Sequence, residues 1–282
     1  MPRAQAELVL ADLIELVPSG LEERAVDDEY VEYAIYGAAG ELPALPELRA
    51  TVGEALVEVS TSEVADDWGE RWRRFHRPVL IPPPRSSRRA LPALHVRPPW
   101  EGPAEGDRAL EIVIDPGQAF GTGAHATTRL CLELLMELAG DGVEGEVLDV
   151  GTGSGVLAIA AAKLGFAPVA ALDNDPESVR AADENARLAE VEVAVRRHDL
   201  RRDPLVLAEG AGGGPVVLAN LLRPLLVELA DAMPVAPGHL IASGILDAEA
   251  DAVAAELGAR LRLSERERRS SGEWAALWLA PR

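Results

Sequence analysis

Residues 147–156, Val-Leu-Asp-Val-Gly-Thr-Gly-Ser-Gly-Val, run the pattern of a buried strand into three alternate glycines and then into an alanine-rich helix. Glycine at such a junction lets the chain turn tightly and lets a ligand approach the backbone within contact distance. A plain strand–helix connection has the same local look, so the surroundings decide. From about residue 108 strand-like and helix-like segments alternate. Strands are expected at 109–114, 146–150, 169–173, 191–196, 215–220 and 240–245, with helices at 124–139, 156–164, 176–189, 224–233 and 248–257. This alternation predicts an α/β architecture, a doubly wound parallel sheet with helices on both faces. Two last strands, 260–267 and 274–279, have few residues between them and are expected to pair antiparallel at the edge.

The spacing of the glycines narrows the ligand. A dinucleotide fingerprint needs a third glycine three residues after the second, where this chain has Val156, and no Gly-Lys-Ser/Thr follows for a triphosphate loop. Gly-x-Gly-x-Gly after Asp149 suits a cofactor with no pyrophosphate to cradle. Asp173 follows Gly151 by 22 residues, at the end of the second strand. A carboxylate there accepts both hydroxyls of a ribose, and each bond to an ionised acceptor contributes about 1.5–3 kcal/mol. Asp175-Pro176-Glu177 reads as a helix start, with Asp175 as cap and Pro176 at the first helical position. Asp199, in His198-Asp199-Leu200 at the end of the third strand, has two readings: an acceptor for an adenine amino group, or an exposed strand-end acid.

Composition sets the boundaries. Hydrophobic residues are 48% and charged residues 26% of 282, enough apolar content for a folded core. The net charge of −20 makes the chain a poor candidate for sequence-independent binding to nucleic-acid phosphates, which needs Lys and Arg to displace counterions; the acidity reads either as a solvated surface or as steering toward basic partners. Residues 1–63 hold 14 acidic and 3 basic residues, whereas 64–91 hold 7 Arg and 3 acids. Three regions follow: a small α+β domain at 1–63, a linker helix and loop at 64–91, and the alternating α/β domain at 92–282. In the first, helices are expected at 6–17 and 45–51 and strands at 30–36 and 55–60. In the second, Trp68, Trp72 and Phe75 share one helical face, and the neighbouring Arg residues leave contact with RNA open. Cys131 is the only cysteine, so no intrachain disulfide and no multi-cysteine metal site can form. No signal peptide and no membrane span are expected, which makes the cytoplasm the expected location.

With these residues in place, the chain resembles the class I S-adenosylmethionine-dependent methyltransferases, whose sheet is Rossmann-like. Two motifs narrow the resemblance. One is Asp115-Pro-Gly-Gln-Ala-Phe120-Gly-Thr-Gly-Ala-His125-Ala-Thr127-Thr128; the other is Ala219-Asn220-Leu221-Leu222 on the fourth strand. Together they are similar to the ribosomal protein L-eleven methyltransferases, the PrmA type, over roughly residues 42–282. Ser243-Gly-Ile-Leu246 is similar as well. The resemblance implies a two-domain enzyme that methylates N-terminal α-amine and lysine amino groups of the large-subunit ribosomal protein L-eleven. It implies S-adenosyl-L-methionine as cofactor, held by Thr128, Gly151, Asp173 and Asn220 with Phe120, Thr127, Gly153 and Asp199. Asn220 and the backbone of Leu221 are expected to border the methyl group and the incoming amine. No metal is expected, and a monomer is.

Two departures stand out: Ala126 replaces the family's usual proline, and the first strand expected of the N-terminal domain is absent or very short. His125 has two readings, catalytic or loop-ordering, and Cys131 reads as core. Asn220-Leu-Leu-Arg223 in place of Asn-Pro-Pro-Tyr argues against nucleic-acid or glutamine methylation. The alternatives are a lysine methyltransferase acting on a different protein and a non-catalytic cofactor-binding factor that docks on the ribosome.

Overall fold

The computed structural model describes residues 22–25, 31–34, 77–85, 87–104, 109–115, 125–205 and 214–282. The chain divides into two compact units, Met1–Trp68 and Gly69–Arg282. In the first, β1 (Glu22–Ala25) pairs antiparallel with β2 (Val31–Ala34), with Ala25 opposite Val31. β2 falls inside the strand expected at 30–36; β1, with the sequence Glu-Glu-Arg-Ala, carries no apolar alternation and was not anticipated. The expected helices at 6–17 and 45–51, the strand at 55–60 and the aromatic segment Trp68–Phe75 lie outside the described residues.

The second unit holds two sheets. The smaller has β3 (Val79–Ile81) antiparallel to β4 (Ala93–Arg97), which is parallel to β5 (Ala109–Val113). Two expectations change here. Part of the segment read as a linker loop is strand β3, whose Ile81 is fully buried. Likewise, the strand expected at 109–114 does not join the large sheet. Its Glu111 carboxylate accepts from Arg97 Nε (2.7 Å) and bonds His95 Nδ1 (3.0 Å), both on β4, and this cross-strand cluster fixes β5 to β4.

The larger sheet is built from β6 (Val147–Val150), β7 (Val169–Asp173), β8 (Ala194–Arg197), β9 (Val216–Asn220), β10 (His239–Leu246), β11 (Ser264–Ser271) and β12 (Trp274–Ala280). Its order is β11-β12-β10-β9-β6-β7-β8. The strands from β10 to β8 are parallel, and β12 runs antiparallel to both β10 and β11. The helices are α1 (Ala126–Gly140), α2 (Val156–Lys163), α3 (Pro176–Leu188), α4 (Arg223–Ala232) and α5 (Ala250–Leu261).

Strand alternation sorts the core into two layers, because neighbouring side chains on a strand point to opposite faces. Val147, Val216, Leu218 and Ile241 join Leu134, Leu135 and Ile159 of α1 and α2 on one face. Leu148, Val217, Ala219 and Leu240 join Leu226, Leu229 and Val253 of α4 and α5 on the other. The doubly wound expectation therefore holds. Cys131 is fully buried in the first layer, and burial pushes its thiol up to about 12. α5 runs four residues further than expected, since Leu257 and Leu261 continue its buried stripe; Arg262, with φ 57°, ends it, so β11 starts at Ser264. Among the described residues, no helix is long and apolar enough to cross a membrane.

A cleft at the carboxyl ends of the strands

β6, β7, β8 and β9 end side by side, and the turns that follow them enclose a cleft of about 700 Å³. This is where open α/β sheets place their ligands. Gly151, Gly153 and Gly155 all have positive φ (72°, 53° and 85°), so the turn needs the conformational freedom that the sequence supplies. Its first two residues are tied to the next strand, as Gly151 N–H and Thr152 N–H both donate to the Leu172 carbonyl (2.8 and 3.0 Å).

Asp173 faces the cleft from the end of β7. One carboxylate oxygen accepts from Gly153 N–H (2.9 Å) and the other from Asp175 N–H (3.0 Å). Each oxygen can accept a further bond, so the group is fixed in orientation and still able to receive two hydroxyls. Asp175 has the capping role read from the sequence, accepting from Glu177 N–H and Ser178 N–H (both 3.2 Å). The Glu177 N–H, with Ser178, holds its carboxyl below the ordinary value. Asp199 lines the cleft while accepting from Arg201 N–H (3.0 Å). Its neighbour His198, also a lining residue, keeps a buried Nε2 with no hydrogen-bond partner among the described residues.

Thr128 and Asn220, 92 residues apart, meet across the cleft, with Asn220 Nδ2 donating to Thr128 Oγ1 (3.3 Å). Thr127 is turned elsewhere. It does not line the cleft, and its hydroxyl bonds His125 Nδ1 (2.8 Å). That ring nitrogen also accepts from Thr127 N–H and caps α1, an ordering contact, and the ring stands edge-on to Trp274. Ala126 occupies the first helical position, where a proline is at home and alanine serves equally well. Phe120 lies outside the described residues.

Leu221 lines the cleft, but its N–H is committed to the Ser243 carbonyl (3.0 Å), which leaves only its carbonyl for a ligand. The segment is braced from behind. At the bulge between Ser243 and Ile245, Gly244 has φ 82°, and a Cβ there would stand 2.5 Å from the Leu221 oxygen.

Two buried groups were not anticipated in these roles. Asp149, beneath the turn, accepts from Thr152 Oγ1 (2.6 Å) and Ala158 N–H (3.2 Å) through one oxygen, and its other oxygen has no partner among the described residues. Burial, with Asp173 nearby as a like charge, pushes this carboxyl up to about 7. A carboxyl whose folded value lies above its unfolded value near 3.9 adds stability below that unfolded value, and the contribution fades as the pH rises through about 7. Asp149→Asn is therefore expected to gain thermal stability relative to the wild type between pH 5 and pH 8. A difference in melting temperature that stays constant over that range would refute this. Asn185 is the second, on α3. Its Nδ2 donates to the Ser154 carbonyl (2.9 Å) and the Asp115 carbonyl (3.3 Å), and its Oδ1 accepts from Asp115 N–H (2.9 Å). The signal was an amide on the same helical stripe as Ser178, Ala182 and Ala186.

Among the described residues there is no cluster of three or more metal-ligating side chains. The family described as Ribosomal protein L11 methyltransferase (PrmA) matches residues 20–281. A ribosomal protein L11 methyltransferase of Heliobacterium modesticaldum is 42% identical over 217 residues, covering 75% of this chain and 63% of the relative. Its counterpart in Pelotomaculum thermopropionicum is 39% identical over 273 residues, covering 91% and 83%. The chain thus spans less than two thirds of the first relative's length. The crystal structure of a ribosomal protein L11 methylase from Lactobacillus delbrueckii subsp. bulgaricus superposes with a TM-score of 0.58 at 30% identity, over 72% of this chain and 98% of that one. On its family match and its fold, the chain belongs to the ribosomal protein L11 methyltransferase (PrmA) family of S-adenosylmethionine-dependent methyltransferases.

Proposed function

We propose that this chain methylates amino groups, the N-terminal α-amine and lysine side chains, of ribosomal protein L11. The observation that carries the reading is the convergence of Thr128, Gly151, Asp173 and Asn220 on one cleft. The residues present fit the family's cofactor, S-adenosyl-L-methionine. Asp173 offers two free acceptor positions to ribose hydroxyls, Gly153 lines the same cleft, and at Gly151 a Cβ would stand 2.3 Å from Leu221 Cδ2, so glycine there makes room for the Leu221 side chain. His198 Nε2 is a buried polar atom that a ligand can complete. Thr128 and Asn220 form the opposite wall, and Asp199 stands at the adenine end. Bound there, the cofactor supplies an electrophilic methyl group on a sulfonium.

The chain's own work is positioning, which supplies most of what an in-line displacement needs. Asn220 and the Leu221 carbonyl are the groups placed to orient an incoming uncharged amine. Residues 1–63 are read as the substrate-recognition domain, with 64–91 connecting to a catalytic domain at 92–282. β3 at 79–81 extends the catalytic sheet system into that connecting stretch. A monomer working in the cytoplasm, with no direct nucleic-acid binding of its own, completes the reading.

Purified chain, S-adenosyl-L-methionine and purified L11 should yield L11 heavier by whole methyl units in intact-protein mass spectrometry. Unmodified L11 under conditions where the cofactor binds would refute the substrate, and transfer to a different ribosomal protein would name another. Because residues 1–63 carry a net charge of −11, the KM for this basic substrate is expected to rise with ionic strength while cofactor affinity stays level. A KM insensitive to salt would refute electrostatic steering.

A further inference from the structure

We propose that Asn185 is a positioning residue for the cofactor site. Its side-chain amide fixes the start of the 115–128 motif against the glycine turn. The inference rests on reading the cleft as an S-adenosylmethionine site.

Asparagine is a poor choice for a helix interior, because its side chain competes for backbone hydrogen bonds. A buried amide is also costly unless it is bonded. Asn185 is 1% exposed, and alanine would suit its place beside Ala182 and Ala186. None of its three bonds serves its own helix. They reach Ser154, 31 residues away, and Asp115, 70 residues away. With Asp115 the amide both donates and accepts, as a neighbouring strand would, so it holds that peptide in position and in orientation. With Ser154 it holds a carbonyl of the turn that presents Gly151 and Gly153 to the cleft.

The far end of the same motif is held in a matching way, since Thr128 is gripped by Asn220. Two asparagines therefore hold Asp115 and Thr128, the first and last residues of that motif, and one of the two, Asn220, lines the cleft. Asn185 is not among the residues that line the cleft. It acts through Asp115 and Ser154, keeping the chain that follows β5 in register with the glycine turn, which lines the cleft through Gly151, Thr152 and Gly153. Helix packing alone does not need the amide.

The test measures the dissociation constant of S-adenosyl-L-homocysteine by calorimetry on the full chain, together with the melting temperature. Asn185→Ala removes all three bonds. Asn185→Asp keeps the volume and the acceptor for Asp115 N–H but cannot donate to Ser154. The expected result is a dissociation constant raised about tenfold or more for Asn185→Ala, with a smaller rise for Asn185→Asp. The KM for the protein substrate should be unchanged, and kcat at saturating cofactor should be retained. A lowered melting temperature with unchanged affinity would mean a structural role only and would overturn the inference.

Should neither variant fold, hydrogen exchange on the wild type decides. Peptides containing Asp115 and Ser154 should gain protection together when S-adenosyl-L-homocysteine is added, and an Asp115 peptide that gains none overturns the inference. No binding by the wild type would overturn the cofactor reading and this inference with it. Wild-type binding matched by the variants would overturn this inference alone.

Discussion

Replacing Asp173 by Ala is expected to weaken binding of S-adenosyl-L-homocysteine by about a hundredfold or more. The carboxylate's two free positions correspond to two hydrogen bonds to an ionised acceptor, each contributing about 1.5–3 kcal/mol. Every 1.4 kcal/mol is a factor of about ten, so the pair accounts for roughly 100- to 10,000-fold. The substitution also removes the acceptors for Gly153 N–H and Asp175 N–H (2.9 and 3.0 Å), which loosens the turn that faces the ligand. Asp173→Asn keeps the shape and one acceptor, and its loss should fall between the two. Calorimetric titration of the three proteins measures this. An Asp173→Ala protein that still binds within about threefold of the wild type would remove the ribose assignment.

Gly244→Ala is expected to act on turnover rather than on cofactor affinity. A Cβ at this position would stand 2.5 Å from the Leu221 oxygen and 2.8 Å from its carbonyl carbon, which are backbone atoms with no rotamer to adopt. The residue also has φ 82°, a left-handed conformation that costs a residue with a side chain about 1–2 kcal/mol. Relief comes by moving the Asn220–Leu221 segment into the cleft or by losing the bulge, and either displaces the groups proposed to face the amine. A misplacement of about 1 Å can cost about a hundredfold in rate, and kcat is expected to fall by about that factor. Asp173 and the glycine turn belong to β6 and β7 and stay in place while only Asn220, on the opposite wall, shifts, so the dissociation constant for S-adenosyl-L-homocysteine should rise by less than about tenfold, a smaller change than that in kcat. A folded Gly244→Ala protein with wild-type kcat would show that the brace behind Leu221 is dispensable.

The elements nearest the cofactor were legible because their chemistry is local. Val169–Asp173 begins and ends where the sequence reading put it, and the Asp175-Pro176 cap stands as written, since each depends on residues within a few positions. What escaped depends on distant partners. Glu111 draws β5 into the smaller sheet through His95 and Arg97, and no periodicity within 109–114 announces which sheet a strand will join. Asn185 looked like one polar residue on an apolar stripe until Asp115 and Ser154 arrived beside it. Thr127 and Thr128 are neighbours of the same type, and only the cap geometry at His125 turns one away and the other into the cleft. The backbone of Leu221 was expected to border the methyl group and the amine; the residue lines the cleft, but its N–H is consumed by a strand that enters from 22 residues further on. Gly244 showed no role until the Leu221 backbone came up against it.

The position of β12 between β10 and β11 has a consequence for how the protein is made. β11 leaves the ribosome first, yet among the described residues its only strand neighbour is β12. It therefore waits, and so does β10, whose free side is a row of unpaired amides and carbonyls flanked by Leu240, Ile241 and Ala242. An exposed apolar edge of this kind is a template for pairing with other chains. Nascent or truncated chains that stop before Trp274 would present that edge, and completion of Trp274–Ala280 is the step that closes it.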